Sequence, residues 1–343
     1  MIQVPQWLST ESYGLVIVLI SAILYAVAGA FVKLSHTVGN LPSTELVLSR
    51  GIFQGALVVW GLYVYRDEKK SRLLWHPFGR THYQCKIVLA RGVLGGAGLV
   101  FDYHCMATLP LGDAITLMSL YPFLTIFLAR TFLGEEIRPF HIRVTVASMM
   151  GAVLIAQPTF LFGRADHSDN SPKTSLGYIT GILGSCCLAC VLTLTRKAGT
   201  IGVHTLQLLI SWAMFGIIFS LVFAKAEGDW VVPHSRLIWW YVFGACSVGA
   251  AAHFVLNYGG RLAPAGLVSV VRSSDIMWAY ACEISIFNQR PNMWTCMGVF
   301  LVLASLLAIG GEKVRDGRRL MKKLVSETEK EPYADVESPT KTK

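Results

Sequence analysis

The sequence predicts an all-α polytopic membrane protein with ten transmembrane helices, arranged as two inverted five-helix repeats. Of the 343 residues, 53% are apolar and only 15% are charged. A soluble domain carries about 25% charged residues, so a soluble enzyme is disfavoured by composition alone. Ten apolar stretches approach the roughly 20 residues that cross a hydrocarbon core. A motif in the first half of the chain also recurs in the second half.

The ten predicted spans divide evenly between the two halves, and some tolerate a charge inside. Several connections are very short, as at Leu109-Pro110, and short connections predict antiparallel neighbours in a compact bundle. The predicted spans are Tyr13–Val38, Pro42–Tyr65, Tyr83–Thr108, Leu111–Ala129, Ile142–Gln157, Leu176–Lys197, His204–Ala224, Leu237–Leu256, Pro264–Glu283 and Pro291–Gly311.

The orientation follows from the Lys and Arg residues of alternate loops, which are enriched on the cytosolic side of membrane proteins. One set of loops, together with the proximal tail, carries sixteen such residues, and the other set carries five. This asymmetry predicts that both termini are cytosolic. The net charge of +9 is therefore a signal of topology, and no nucleic-acid partner is predicted.

The spans also set the predicted environment of the cysteines, the start of the tail and the division into domains. The eight cysteines lie in or beside apolar runs and are predicted to be reduced and buried, with no metal site. The basic stretch RDGRRLMKKL after the last span could contact anionic lipids. The domains are residues 1–12 as a cytosolic N-terminus, 13–157 as the first repeat, 158–175 as a non-cytosolic loop, 176–311 as the second repeat and 312–343 as a disordered cytosolic tail.

The internal repeat pairs LPLGDAITLMSLYPFLTIFLARTFLGEEIRP, from Leu109, with LAPAGLVSVVRSSDIMWAYACEISIFNQRP, from Leu262. Each copy has a Pro-containing link, an apolar span and a short loop with Arg-Pro. Because five spans per half is an odd number, the second repeat is inverted relative to the first. Inverted repeats with a site at their interface are a common plan of secondary transporters.

Polar residues inside the spans are candidates for a substrate site, because ionisable groups in hydrocarbon cost at least a few kcal/mol and normally face protein or a watery cavity. At 1.5 Å per residue, Arg50, Arg91 and Arg272 each lie about 12 Å inside their spans. Asp275 is the one acid near mid-depth. This surplus of cations favours an anionic substrate, since guanidinium groups fork onto carboxylates and phosphates. The predicted substrate-binding residues are Arg91, Arg272, Arg50, Lys33, Tyr25, Asp275, Tyr103, His104, Tyr121, His253 and Asn257.

Structural roles are the alternative for the same residues. Arg272 could pair with Asp275, three residues along the helix, and Lys33 and Arg50 could extend toward the interface. The other acids, including Asp102, are predicted to lie near span ends where water reaches them. Glu135 and Glu136 beside Arg138 predict an ionic clamp at the end of the fourth span; the other acids at span ends are Glu45, Asp113 and Glu283.

Seven ordered motifs resemble a known family. They are FVK at 31–33, ELVLSRGIFQ at 45–54, LARGVLG at 89–95, LPLGDAITLMSLYPFLTIFLA from 109, LGEE at 133–136, QPTFLFG at 157–163 and APAGLVSVVRSSDIMWAY at 263–280. These motifs are similar to the EamA repeat of the drug/metabolite transporter superfamily. The last two most resemble subfamily G of the solute carrier 35 group.

The resemblance implies ten helices in two inverted repeats around a central cavity, alternating access, and an organic-anion substrate such as citrate. Lys33, Arg50, Arg91 and Asp275 match motif positions of the family, and Arg272 stands where a basic residue is expected. Glu283 departs from the uncharged polar residue expected there, which leaves the exact substrate open.

The sequence therefore predicts a secondary transporter of small organic anions, with the bilayer and its substrate as partners. No GxxxxGK[ST] motif is present, so direct use of ATP is not predicted; neither a cofactor nor an enzymatic activity is predicted. Coupling could be absent, by exchange, or by protons through Asp275 or a histidine. The plasma membrane or an endomembrane of the ER or Golgi is expected. The alternatives are an amino-acid or nucleotide-sugar carrier, and a non-transporting scaffold or regulator.

Overall fold

The chain folds into a bundle of helices, seen here in a computed structural model that describes residues 10–39, 41–64, 76–109, 111–162, 172–227, 233–287 and 292–328. The helices are α1 (Thr10–Gly39), α2 (Ser43–Val64), α3 (His82–Thr108), α4 (Leu111–Met118), α5 (Tyr121–Leu128), α6 (Pro139–Ala156), α7 (Thr159–Phe162), α8 (Pro172–Thr200), α9 (Thr205–Glu227), α10 (Arg236–Leu262), α11 (Ala265–Arg272), α12 (Asp275–Phe287) and α13 (Met293–Thr328). A π-helical turn, Ala129–Leu133, continues α5.

The predicted fold class, an all-helical polytopic membrane protein, is confirmed. Within the described ranges, nine helical stretches are long and apolar enough to cross a membrane, and one of them joins α4, α5 and the π-helical turn. The remaining predicted span, the ninth, is built from α11 and α12 with a two-residue turn between them. Many large apolar side chains, such as Trp240 and Phe300, are exposed on the outside of the bundle, as expected for a surface that faces lipid.

The helices of the two halves pack in a symmetric pattern. The first span of one half lies along the third span of the other, since α1 packs on α10 and α3 on α8. The second spans pack together as α2 and α9, and the fifth spans as α6 and α13. The fourth spans meet where α5 contacts α11. This reciprocal pairing is what a twofold relation between two inverted five-helix repeats produces.

Both fourth spans are interrupted at equivalent places. Each begins with an eight-residue helix, α4 or α11, and then has a two-residue turn. The turn amides repeat one pattern: Ser119 and Ser273 donate to the carbonyl four residues back, and Leu120 and Ser274 to the carbonyl three residues back. The equivalent positions are 154 residues apart, so Pro110 aligns with Pro264. Discontinuous helices of this kind commonly form the substrate sites of transporters.

The two interruptions share a serine hydroxyl that donates to a helical carbonyl, Ser119 in one and Ser273 in the other, and differ in a further cause. In the first copy Pro122 has no N–H with which to continue the helix, which favours a break just before it. In the second copy the hydroxyls of Ser273 and Ser274 donate to the carbonyls of Val270 and Val271 and compete with the helical hydrogen bonds. The hydroxyl of Ser269 donates to the Gly266 carbonyl at 2.7 Å and lies 3.5 Å from the Pro122 carbonyl. The two fourth spans therefore contact each other close to their breaks.

Two sequence predictions about the connections are wrong in part. The tail was expected to be disordered from Glu312, yet α13 continues as a helix to Thr328. Ion pairs stabilise this extension, because Glu312 and Asp316 both bind Arg138. The expected loop at 158–175 contains the short helix α7 and the first turn of α8. Residues 1–9, 163–171 and 329–343 of the predicted terminal and loop segments lie outside the described residues.

Candidate functional site

A cavity of about 160 Å³ lies between the two repeats, enclosed by α1, α2, α3, α8, α9, α10 and α11. Its polar lining consists mainly of three arginines, one aspartate and neutral donors and acceptors. The cavity is lined by Tyr25, Arg50, Arg91, Leu94, Gly95, Gly98, Leu99, Asp102, Gly184, Leu188, Val191, Leu192, Thr195, Trp212, His253, Leu256, Asn257 and Arg272.

Arg91 forms the floor of this cavity and is almost completely buried, with 1% of its surface exposed. Its Nε donates to Thr195 Oγ1 at 3.2 Å and its Nη1 to the Leu208 carbonyl at 2.9 Å. Its Nη2 donates to Asn257 Oδ1 at 2.5 Å and lies 3.2 Å from His253 Nε2. All three nitrogens are therefore bonded to the protein. Arg91 joins α3 to α8, α9 and α10 and leaves little donor capacity for a ligand.

His253 connects this floor to the second helix. Arginine only donates hydrogen bonds, so His253 Nε2 must accept the bond from Arg91 and the proton of a neutral ring must be on Nδ1. That Nδ1 lies 3.1 Å from Gln54 Oε1, which is an acceptor. The ring also packs edge-on against Trp212, with the ring centroids 4.7 Å apart. The geometry fits a neutral histidine that orients its neighbours.

Of the three arginines that line the cavity, Arg50 and Arg272 have donors without a partner among the described residues. Arg50 donates from Nη2 to the Gly249 carbonyl at 3.0 Å, and Arg272 donates from Nη1 to Asp275. Both Nε atoms are buried and have no hydrogen-bond partner among the described residues. The guanidinium carbons lie 5.5 Å and 4.1 Å from the centroid of the Tyr25 ring. The two cations therefore flank one aromatic ring at the cavity wall.

These two distances limit the separation of the cations. Since 5.5 Å and 4.1 Å cannot add to more than 9.6 Å, the guanidinium carbons of Arg50 and Arg272 are at most that far apart. Two positive charges this close in a poorly solvated site repel each other. Asp275 offsets part of this repulsion at Arg272, and a bound anion would offset more of it.

The structure brings together part of the predicted site. Asp275 lies beside the cavity, because it pairs with Arg272 across the turn between α11 and α12. Lys33 and Tyr121 lie outside the cavity lining, and Tyr121 is buried in the apolar core around Leu267. His104 is also outside the lining and bonds Thr180. The side chain of Tyr103 lies outside the described residues. The predicted residues that line the cavity are Arg91, Arg272, Arg50, Tyr25, His253 and Asn257.

Asp102 lines the cavity, although the sequence placed it near the end of its span. The helix α3 begins at His82 and ends at Thr108, so Asp102 is six residues from its end. The reason that it belongs to the site is the close packing of α3 on α8, where Gly184 leaves space for the carboxyl group. Counting depth along one helix could not reveal this, because the contact depends on the partner helix. The glycines of α3 and α8 were the sequence feature that could have indicated this close packing.

One end of the bundle is closed by a polar cluster below the cavity floor. Glu135, which follows the π-helical turn, accepts a hydrogen bond from the Ala265 amide at 3.0 Å and pairs with Arg196 at 3.6 Å. Arg196 in turn donates to the Arg261 carbonyl. Glu135 thereby connects the first repeat to α8 and α11 of the second, consistent with the clamp that the sequence predicts.

The neighbouring histidine does not add charge to this cluster at neutral pH. Burial, and then the positive charge of Arg261, lower the pKa of His204, which lies in the short link before α9. A histidine with a lowered pKa is uncharged at pH 7. The charges that close this end of the bundle are therefore those of glutamate and arginine.

We expect Glu135→Ala to loosen this closed end. The substitution removes both the bond to the Ala265 amide and the pairing with Arg196. A hydrogen bond to a charged group contributes about 1.5–3 kcal/mol, so hydrogen exchange at the Ala265 amide should accelerate roughly tenfold or more. Hydrogen–deuterium exchange with mass spectrometry on the purified protein would measure this change.

Two variants make this experiment specific. Glu135→Gln should have a smaller effect, because the amide oxygen can still accept from Ala265. Glu136→Gln removes an acid from an exposed neighbouring position and should leave the exchange unchanged. Equal exchange in Glu135→Ala and in the unmodified protein would show that Glu135 does not hold this end closed.

The fold and the site together define a class of protein. Ten spans in two inverted repeats, with a polar cavity at their interface, form the plan of a multi-pass membrane transporter. The chain belongs to the EamA-like transporter family, whose sequence model matches residues 12–157 and 175–311. This family is part of the drug/metabolite transporter superfamily that the motifs resemble.

Individual relatives agree with this membership. The chain is 28% identical over 296 residues to solute carrier family 35 member G1 of Homo sapiens, covering 85% of this chain and 77% of that protein. It is 21% identical over 300 residues to the pseudopaline exporter CntI of Pseudomonas aeruginosa, covering 88% and 96%. A solved crystal structure superposes with a TM-score of 0.70 at 15% identity, over 87% of this chain and 97% of the other. At that identity the likeness shows the fold alone.

Proposed function

We propose that this protein is a secondary transporter of small organic anions, with di- and tricarboxylates such as citrate as its substrates. The observation that carries the proposal is the pair Arg50 and Arg272, each of which makes a single hydrogen bond to the described residues, through one Nη atom. Both side chains line one cavity together with Tyr25. The guanidinium group of arginine matches the geometry of a carboxylate. Two such groups within 9.6 Å of each other suit a substrate with more than one carboxylate.

The cavity's other groups would place and select the substrate. Arg91 adds positive charge at the floor while its nitrogens remain bonded to the protein. Trp212 contacts the Arg50 guanidinium at 5.3 Å from its ring centroid and limits that side chain's freedom. A preorganised cation loses less entropy when an anion binds. The transporter would alternate access by rocking the two repeats about the contact between the fourth spans.

The membrane context belongs to the same proposal. The Lys and Arg asymmetry of the loops supports an orientation with both termini in the cytosol, in the plasma membrane or an endomembrane. In this orientation the cluster around Glu135 would face the cytosol and the structure would be closed on that side. The basic residues of the α13 extension would lie beside anionic lipid headgroups.

The decisive experiment is a substrate panel. The purified full-length protein is reconstituted in liposomes and presented with labelled citrate, succinate, amino acids and UDP-sugars, each with and without a pH gradient. We expect saturable uptake of citrate or succinate above that of protein-free liposomes. Uptake of only amino acids or only UDP-sugars would replace the carboxylate proposal by one of those carriers. A lack of all uptake, with no thermal shift by any solute, would favour a scaffold.

A further inference from the structure

The cavity contains an acid that the proposed anion site does not use. Asp102 lines the same cavity as Arg50 and Arg272. Within the described part of the chain, its carboxyl group makes no hydrogen bond or ion pair. Asp275, by contrast, pairs with Arg272. Asp113 accepts hydrogen bonds from the amide and the hydroxyl of Thr159.

The position of the Asp102 carboxyl is built by the packing of α3 on α8. A Cβ atom added to Gly184 would overlap the carboxyl oxygen Oδ1. One turn earlier on α3, a Cβ at Gly98 would come within 2.9 Å of the Cys187 Cβ. The small residues on both helices thus leave a slot into which the carboxyl fits, with one side open to the cavity.

The groups that face Asp102 do not neutralise it. On its own helix, the described titratable side chains nearest in sequence are those of His104 and Cys105, and the histidine bonds Thr180. The packed face of α8 contributes the thiol of Cys187, and α4 contributes Asp113. The α9 groups that pack on the α3 glycines are uncharged, namely the Trp212 ring at Gly95, the Phe215 ring and the Ser211 carbonyl at Gly92, and the Phe219 ring at Gly96.

The arginine on the same helix is far from this slot. Arg91 lies eleven residues earlier on α3, a rise of about 16 Å. An ionised carboxylate in such a slot has lost water without gaining a partner, which is unfavourable. Without a partner among the described residues, the carboxyl group can bind a cation that enters the cavity. The smallest one, and the one always present in water, is the proton.

We propose that Asp102 carries a proton that crosses the membrane together with the anionic substrate. An anion drawn into the cavity by Arg50 and Arg272 makes the nearby electrostatic potential more negative and favours the protonated carboxyl group. By linkage, a protonated Asp102 in turn favours binding of the anion. The proton joins a carboxyl oxygen of Asp102 on one side of the membrane and leaves it as H₃O⁺ on the other. Transport is then symport of proton and anion.

This inference rests on the proposed function, and its test uses the full-length protein in liposomes loaded with the pH dye pyranine. Adding citrate or succinate outside should acidify the lumen of vesicles that contain the protein. If one proton moves with each anion, a pH one unit lower outside the vesicles than inside should raise the equilibrium accumulation of the labelled carboxylate in the lumen about tenfold. Asp102→Asn should abolish this dependence on the pH gradient. Glu136→Gln, which changes an exposed acid in the link between the π-helical turn and α6, should preserve it.

Each other outcome contradicts one of the two proposals separately. If the unmodified protein exchanges labelled for unlabelled carboxylate without moving protons, the coupling is wrong and the anion carrier stands; this result does not depend on whether the Asp102→Asn variant folds. If Asp102→Asn keeps its pH-driven accumulation, Asp102 is not the carrier of the proton. If the variant loses only amine-bearing carboxylates, Asp102 binds a substrate ammonium instead. If no carboxylate moves under any condition, the proposed function is wrong.

Discussion

Arg272→Ala is expected to lower carboxylate transport by about 100-fold or more, with the protein still folded. The substitution removes the guanidinium whose Nε is buried without a partner in the described structure. It also removes the cation stacked 4.1 Å from the Tyr25 ring centroid. A charge-assisted hydrogen bond contributes about 1.5–3 kcal/mol, and losing two of them corresponds to a factor of roughly 100 in binding. Initial rates of labelled citrate uptake, measured over a range of concentrations, would report the loss.

Two further variants separate substrate binding from the ion pair. Arg272→Lys retains the positive charge but not the paired N–H donors of the guanidinium group, and uptake should fall by about tenfold. Asp275→Asn leaves Arg272 in place and frees the Nη1 that now binds the aspartate, so citrate affinity should be kept or increased. Normal melting temperatures would show that each variant is folded. Unchanged transport by Arg272→Ala, with loss in Asp275→Asn, would mean that the acid and not the arginine serves the substrate.

The sequence was sufficient for the architecture because hydrophobic length and charge asymmetry are properties of single segments. The spans follow from apolar stretches of the right length, and the inverted repeat follows from two copies of one motif with five spans in each half. The pairing of α1 with α10 and of α3 with α8 lies outside such reasoning, since it depends on which helix faces are complementary. The break between α11 and α12 was also hidden. No proline lies at this break. Serines such as Ser273 and Ser274 are common inside membrane helices, so they did not indicate a break.

The candidate site, like the fold, was only partly predictable from the sequence. Depth along a helix identified Arg50, Arg91 and Arg272 as equally deep cations, but it could not show which of their donors were already occupied. Arg91 bonds the protein through every nitrogen, whereas the Nε atoms of the other two are unbonded in the described structure. Depth also suggested that Asp102 was exposed at a membrane edge. Its place in the cavity follows from Gly184 on another helix, which only the packed structure reveals.

Replacing Arg91 is expected to damage stability more than any other change in the cavity. Its guanidinium satisfies Thr195, the Leu208 carbonyl and Asn257, and it orients His253. Each buried polar group left without its partner costs about 1–3 kcal/mol, while removal of the buried charge itself recovers part of this loss. We therefore expect Arg91→Met, which keeps an unbranched chain and has no donors, to lower the free energy of unfolding by roughly 3 kcal/mol.

The melting temperature and the midpoint of denaturant unfolding in detergent would measure this effect. Arg272→Met is the matched control, because it removes an arginine from the same cavity that has fewer bonds to the protein. It should melt closer to the unmodified protein and still fail to transport citrate. Arg91→Lys should recover part of the stability, since one ammonium group can replace some of the bonds but not the full fork. If Arg91→Met instead kept the normal melting temperature and lost only transport, Arg91 would be a substrate ligand. The cation that binds the anion would then lie at the cavity floor, below the Tyr25 ring.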